Sequence, residues 1–233
     1  MKAGGKKEIT AKLEPVKSAA AASRANRPWK TPAFQAWMKK VQAMSAEEQV
    51  KAVSRKLVEL NPGFDGVVTN LKMVGGPVIE NGVVTELSFL TDNVSDISPV
   101  RALVELKGLG CSGRAGKSKL SDLSPLEGME LMLLYCFGTQ VSDLSPLKGM
   151  KLTGLYCTGT QVSNLSPLKG MKLTGLYCTG TRVSDLSPLS SMPSLGSLSL
   201  NAAKVAPASV AALQEALPNC KIEWDDPAKP KTP

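Results

Sequence analysis

Apolar residues recur through the middle of the chain with a period of 21 residues. Residues 130–150 read ELMLLYCFGTQVSDLSPLKGM, and near copies follow without a gap over residues 151–171 and 172–192. Each copy contains the pattern LxxLxC, in which a tyrosine separates the second leucine from the cysteine. An alternation of period two predicts a short strand whose leucine and cysteine face a core and whose tyrosine faces the other side.

The second half of each copy predicts a turn that brings the chain back. Ser145 and Pro146 have the residue types of an N-cap and a first helical position, which predicts a short helical or 3₁₀ turn. Gly149 suits the left-handed residue that ends such a turn. Asp143 precedes Ser145 by two residues, and Asn164 has the same place in the next copy. Both side chains are expected to accept hydrogen bonds from the turn.

Repetition of a strand and a return turn predicts a solenoid. A strand this short cannot bury its apolar face by itself, but parallel strands stacked about 4.8 Å apart share one continuous core. Divergent copies of the strand pattern around Leu87, Leu109 and Leu198 extend the series. The predicted fold is an α/β solenoid of about six coils of about 21–25 residues, with a parallel β-sheet on the concave face and a helical N-terminal cap.

An open stack of coils needs a cap at each end. Thr31-Pro32 and the capping box from Ser45 to Glu48 each predict the start of a helix, and Asn81-Gly82 predicts a β-hairpin turn. One amphipathic helix and a last short strand are predicted after the final coil. The predicted organisation is a basic flexible tail (1–30), a helical N-terminal cap plus a β-hairpin strand (31–83), the solenoid (84–205), a C-terminal cap (206–226) and a disordered end (227–233).

These residues resemble a known family. The SDLSPL returns and their spacing are similar to those of internalin-like bacterial leucine-rich repeats. Together with LNPGFDG, IENGVVTEL, TDNVSDISPVRAL and ALPNCKIEW, they also resemble the repeat region attached to bacterial serine/threonine protein kinases, over roughly residues 31–226. The glycine loop, lysine-bearing strand, catalytic loop and Asp-Phe-Gly motif of a kinase are missing. The resemblance therefore implies a repeat fold and a binding role, and it does not imply kinase activity.

The charge is concentrated at one end of the chain. The sequence has 28 Lys and Arg against 20 Asp and Glu, and residues 1–40 hold ten of the basic and two of the acidic residues. A solvated linker is the favoured interpretation of this tail, ahead of a contact with nucleic acid or an acidic membrane. Because no apolar signal or membrane-spanning run and no paired cysteines are seen, a cytoplasmic location is the expectation.

The sequence favours no catalytic, cofactor or metal site. It contains no histidine, which excludes the common triads and many zinc sites. Gly108, Gly110 and Gly113 match GxGxxG, but no long helix is predicted after them, so the segment is interpreted as an insertion loop and not as a nucleotide site. Four cysteines, Cys111, Cys136, Cys157 and Cys178, fall at one inward position per coil. Core packing is their favoured role, with a metal or redox role as the alternative.

The outward tyrosines are the candidate contact residues. They are expected to stack as a ladder on the concave face beside an apolar patch, and tyrosine is a frequent anchor in interfaces. The alternative is that duplication copied them without a binding role. The predicted function is a monomeric, non-catalytic module that binds a protein or glycan; the second hypothesis is a sensor or regulatory segment tethered by the basic tail. The candidate residues are Tyr135, Tyr156, Tyr177, Leu133, Phe137 and Met132.

Overall fold

The computed structural model describes residues 27–226 as an eight-stranded sheet flanked by helices. Residues 1–26 of the predicted tail and the predicted end at 227–233 lie outside the described residues. The helices are α1 (Pro32–Gln42), α2 (Ala46–Leu60) and α3 (Pro207–Ala216). The strands are β1 (Val78–Glu80), β2 (Val83–Leu90), β3 (Gly108–Ser112), β4 (Leu133–Tyr135), β5 (Gly154–Tyr156), β6 (Gly175–Tyr177), β7 (Ser197–Ser199) and β8 (Lys221–Glu223).

The strands follow one another across the sheet in chain order. Strands β2 to β8 pair in parallel, and each strand from β2 to β7 begins one coil, numbered 1 to 6 below. Strand β1 pairs with β2 in an antiparallel hairpin whose turn residues, Asn81 and Gly82, have φ values of 52° and 79°. Positive φ values at both central residues are what a type I′ hairpin turn requires. The architecture is the predicted α/β solenoid.

The return turns are 3₁₀ turns closed by a side chain. In coil 3 the turn spans Ser145–Leu147, and Gly149 follows with a φ of 78°. The Asp143 carboxylate accepts hydrogen bonds from the Ser145 backbone N–H at 2.8 Å and from its hydroxyl at 2.7 Å. The predicted Asx-type bond is confirmed, and Asn164 makes the same bond to Ser166 at 2.9 Å. The predicted N-cap role of Ser145 is wrong, because Ser145 is already the first residue of the turn.

The core is a set of side-chain columns that run from coil to coil. Leu134, Leu155 and Leu176 are register partners on β4, β5 and β6, and all three are fully buried. A column of buried cysteines lies beside them, as predicted. In coils 3 to 5 a buried threonine three residues after each cysteine donates its hydroxyl to the cysteine carbonyl oxygen at 2.7 Å. The pairs are Thr139–Cys136, Thr160–Cys157 and Thr181–Cys178.

Both ends of the solenoid are covered. In the N-terminal cap the Ser45 hydroxyl accepts from the Glu48 N–H while the Glu48 carboxylate accepts from the Ser45 N–H, which is the predicted capping box. Helix α2 buries Val53 and Leu57 against the first coil. At the other end, α3 buries Val210 and Leu213, and β8 extends the sheet beyond coil 6. The apolar core is therefore not left open at either end.

The folded part begins earlier than the predicted boundary at residue 31. Residues Pro28–Lys30 form a 3₁₀ turn, and Trp29 is only 4% exposed. The Arg27 and Arg101 guanidinium carbons lie 6.0 and 5.9 Å from the Trp29 ring centroid. Arg27 also forms an ion pair with Glu127 at 2.8 Å. Trp29 is thus part of the buried core, although the sequence pattern predicts that the cap begins at residue 31.

Removing the Trp29 side chain should destabilise the fold, whereas removing the charged residues before it should not. We expect Trp29→Ala to lower the free energy of unfolding by about 3–5 kcal/mol, the range for a buried tryptophan. Deletion of residues 1–26 retains Arg27 and Trp29 and is the matched control. Urea denaturation measures both. Equal stability of Trp29→Ala and the parent protein would contradict the placement of Trp29 in the core.

Alkaline pH should destabilise the protein through its buried thiols. Burial raises the pKa of Cys111 and of Cys157 to about 12, from an ordinary value of 9.0. The unfolded chain therefore ionises these thiols at a pH at which the folded chain holds them neutral. Their contribution to stability is complete below pH 9 and is lost as the pH rises from there towards about 12.

Urea denaturation of the protein at about pH 8 and at about pH 10.5 measures this loss as a fall in the unfolding midpoint. A double variant with Cys111 and Cys157 changed to Ala should be less stable at the lower pH but should show a smaller fall between the two values. An identical fall in the variant and the parent would show that other groups cause the pH dependence.

Candidate binding surface

The core register determines which side chains reach the other face of the sheet. This outer face is the one predicted to be concave. Tyr135 is the register partner of Tyr156, and Tyr156 is the register partner of Tyr177. The same row continues to Gly110 on β3 and to Ser199 on β7. Because the neighbouring leucine and cysteine of each strand face the core, all three tyrosines project from the outer face.

The three tyrosines stack as a ladder. The ring centroids of Tyr135 and Tyr156 are 4.1 Å apart with an angle of 5° between the planes. Those of Tyr156 and Tyr177 are 4.4 Å apart with an angle of 6°. All three side chains are half-buried. The inner ring faces are therefore covered by one another, and the ring edges and hydroxyls are the parts that face outwards.

Glycines let the rings lie back over the strands. A Cβ atom at position 175 would lie 3.1 Å from Cε2 of Tyr177, and one at position 154 would lie 3.4 Å from Cε2 of Tyr156. A Cβ at 154 would also lie 2.8 Å from Cδ2 of Leu133. Gly154 and Gly175 thus leave space that the rings and the Leu133 side chain fill. The rings lean towards the end of the sheet at which the strands begin.

The central hydroxyl of the ladder, that of Tyr156, is neutral at physiological pH. Burial is the main cause that raises the pKa of Tyr156 to about 12, and the neighbouring hydroxyls of Tyr135 and Tyr177 raise it further. A neutral phenol both donates and accepts hydrogen bonds. The ladder therefore offers a row of polar hydroxyls above an apolar stack of rings.

Apolar side chains extend the surface next to Tyr135. Met132 is 46% exposed and Phe137 is 37% exposed, while Leu133 is half-buried beside Gly154. Single exposed apolar side chains are normal on monomeric proteins, whereas large contiguous apolar patches often mark contact sites. All six predicted contact residues lie on or beside coils 3 to 5.

The surface has a border on the side of the N-terminal cap. A Cβ at Gly108 would lie 2.7 Å from Cδ1 of Leu71, so Leu71 lies over the outer face of β3. Gly110 is covered in the same way by the Ser88 side chain. Leu71 belongs to a segment of turns between Thr69 and β1, and the sequence pattern does not predict that it reaches β3. The open part of the outer face therefore starts at β4.

The glycine-rich segment forms an insertion loop. Gly108 and Gly110 lie within strand β3, and the loop follows that strand. The Ser118 hydroxyl, which a phosphate-binding loop would expose, is buried and lies 2.7 Å from the Thr91 hydroxyl. Ser118 Oγ also accepts from the Leu120 N–H. This serine anchors the loop to coil 1, which leaves it no free hydroxyl for a phosphate or metal ion.

The cysteines and acidic residues form no ligand cluster between residues 27 and 226. No group of three Cys, Asp or Glu side chains in that range is placed to hold a metal ion. All five cysteines are buried and unpaired. Burial raises the pKa of Cys136 and Cys178 well above the ordinary range, so these thiols stay protonated. Within the same range, no helix has the length and apolar character needed to cross a membrane.

The repeated register, the parallel sheet and the 3₁₀ returns define a leucine-rich repeat solenoid. The chain resembles internalin-like leucine-rich repeat proteins, as its period and its Ser-Pro-Leu returns predict. No protein-family model matches the sequence, and no curated protein matches it.

Solved structures of repeat proteins are similar to the chain. Internalin C2 of Listeria monocytogenes is 26% identical, with a TM-score of 0.48 over 56% of this chain and 66% of its own. An internalin (InlF) of the same organism is 19% identical, with a TM-score of 0.36 over 57% and 53%. A leucine-rich repeat protein of Leptospira interrogans is 15% identical, with a TM-score of 0.37 over 54% and 45%. This chain covers less than two thirds of the length of each of these proteins. The assignment of its fold rests on the repeat geometry of this chain itself.

Replacing the three tyrosines should cost little stability. The triple change of Tyr135, Tyr156 and Tyr177 to Ser, the residue already present at Ser199, removes two stacked pairs worth about 0.5–1.5 kcal/mol each. Leu155→Ala, an inward change in the same coils, should cost about 2–5 kcal/mol and is the control. Urea denaturation of the parent, the triple variant and Leu155→Ala measures the free energy of unfolding of each. A triple variant that unfolds more readily than Leu155→Ala would show that the rings act as core residues.

Proposed function

We propose that this protein is a non-catalytic module that binds another protein through the outer face of its sheet. The observation that carries the proposal is the tyrosine ladder, because it combines half-buried rings with exposed apolar neighbours. Stacking holds each ring in one orientation, so little side-chain entropy is lost when a partner binds. Aromatic side chains also dominate the energetics of protein interfaces.

A protein partner is favoured over a glycan. Sugars and nucleic acid bases use the faces of aromatic rings, and the faces inside this ladder are already covered by neighbouring rings. Only the outermost faces of Tyr135 and Tyr177 are left for such stacking. Ring edges, hydroxyls and the nearby Met132 and Phe137 side chains instead suit the mixed polar and apolar surface of a protein.

The regulatory alternative would use the same surface. A sensor segment that acts with a kinase needs a ligand-binding face, and the ladder would serve it equally well. This alternative differs from the favoured proposal only in the domain to which the module is linked. It stays a hypothesis, as do the predicted cytoplasmic location and monomeric state.

Affinity capture with chemical cross-linking tests the proposed surface. The full chain, the triple Tyr→Ser variant and a control are compared on extracts of the source cells, and partners are identified by mass spectrometry. The control changes three residues that follow the strands of the same coils, Gln140, Gln161 and Arg182, to Ser. Partners of the outer face should be captured by the parent and by the control and lost by the tyrosine variant.

The cross-linked positions make the outcome specific. Cross-links of a captured protein should fall on coils 3 to 5 near the ladder. A tyrosine variant that remains folded and still captures every partner of the parent would make the ladder a product of duplication. The proposed function would then be wrong in its binding surface.

A further inference from the structure

The edge of the solenoid at which the strands begin carries a regular array of lysines. In coils 3 and 4 a 3₁₀ return is followed by a lysine, a glycine with positive φ and a methionine. Lys148 has φ −56° and ψ 125°, and Gly149 has a φ of 78°, which together form a type II turn. Lys169 and Gly170 repeat this turn one coil later. Lys151 and Lys172 follow three residues after each turn lysine, and all four are exposed.

The charge of this edge changes from one coil to the next. One repeat earlier, the equivalent positions hold Glu127 and Glu130. Both acidic residues have partners: Glu127 pairs with Arg27 at 2.8 Å, and Glu130 lies 3.8 Å from Lys107 and 3.4 Å from Lys151.

Three of the four lysines form no ion pair with a carboxylate of residues 27–226. These are Lys148, Lys169 and Lys172. Because successive coils are about 4.8 Å apart, the array concentrates positive charge along one short edge. We call these four residues the lysine edge: Lys148, Lys151, Lys169 and Lys172.

The rest of the chain does not supply the missing negative charge. Residues 1–26 contain six basic and two acidic residues, and residues 227–233 contain two lysines and no acidic residue. Both segments outside the described residues would therefore be repelled by the lysine edge. Neither segment therefore complements the lysine edge in charge, whereas an acidic partner would.

The surroundings of the lysine edge favour an acidic polypeptide over other polyanions. A depression of about 140 Å³ between Lys148 and Lys151 has Met129 and Met150 in its walls, and Glu130, the partner of Lys151, also lines it. Methionine walls suit an apolar side chain, which a polypeptide has and a sulfated glycan or a phosphate backbone lacks. The tyrosine rings lean towards this same end of the strands.

We propose that the lysine edge binds an acidic segment of the protein partner, which continues from there onto the tyrosine ladder. This inference rests on the proposed function, in which the partner is a protein. The lysines attract the acidic side chains, and the methionine-walled depression takes one apolar side chain. Point charges on flexible lysine stems suit carboxylates that lie in variable positions.

Binding of a fluorescent poly-L-glutamate peptide to the full chain tests the charge selection directly. The edge variant changes all four lysines of the edge to Gln. The matched control removes four positive charges from the N-terminal segment by changing Lys2, Lys6, Lys7 and Lys12 to Gln. A heparin fragment and a single-stranded DNA oligonucleotide serve as polyanions of other classes.

The edge variant should bind poly-L-glutamate about tenfold more weakly than the parent, and the tail control should lie within about twofold of it. An equal loss in both variants would overturn the proposal, because binding would then follow net charge alone. Tighter binding of heparin or DNA than of poly-L-glutamate, lost in the edge variant, would overturn it in favour of another polymer.

The tyrosine variant separates this inference from the proposed function. With Tyr135, Tyr156 and Tyr177 changed to Ser, the chain should bind poly-L-glutamate as the parent does. If the lysine edge does not bind acidic segments, the tyrosine ladder can still capture a protein partner. If the ladder does not bind a partner, poly-L-glutamate can still bind to the lysine edge.

Discussion

The structure depends on lateral burial between coils. A three-residue strand such as β5 has one inward leucine, Leu155, and it can bury that side chain only between Leu134 and Leu176 of the adjacent strands. The sheet, the cysteine column and the threonine hydroxyl bonds all follow from holding neighbouring coils in this register. Because each coil stabilises the next, the ends need caps, and Trp29 and helix α3 supply them.

The same register also creates the candidate binding surface. Alternation along a strand forces Tyr156 outwards once Leu155 and Cys157 face inwards, and identical coils then stack identical side chains. Duplication thus produces an ordered tyrosine ladder, and the turn residues at the strand-start edge align into the lysine edge in the same way. The constant repeat length thus aligns the buried side chains and the outer side chains at the same time. A candidate binding surface of this kind needs no pocket.

Local patterns predict most of the fold, and contacts distant in sequence account for what they miss. The strands, the 3₁₀ returns, the hairpin at Asn81-Gly82 and the outward tyrosines follow from period, capping and turn chemistry. Trp29 lies beside Arg101, and its neighbour Arg27 pairs with Glu127; both partners are distant in sequence, and no local pattern indicates either contact. Leu71 covers Gly108 for a similarly non-local reason. Ser145 does not act as an N-cap, because it is the first residue of the turn and the Asp143 carboxylate accepts from its N–H.

The most direct measurement of the central claim is the removal of one coil. Deleting residues 154–174 joins Thr153 to Gly175 and restores the repeat, whereas deleting residues 154–175 removes one residue more and joins Thr153 to Leu176. If register determines the fold, the first variant unfolds cooperatively in urea, with Tyr135 stacked on Tyr177. The second loses cooperative unfolding, because the connection from Leu152 to Leu176 is one residue too short for both leucines to keep their inward positions. Equal, cooperative unfolding of both variants would contradict the account.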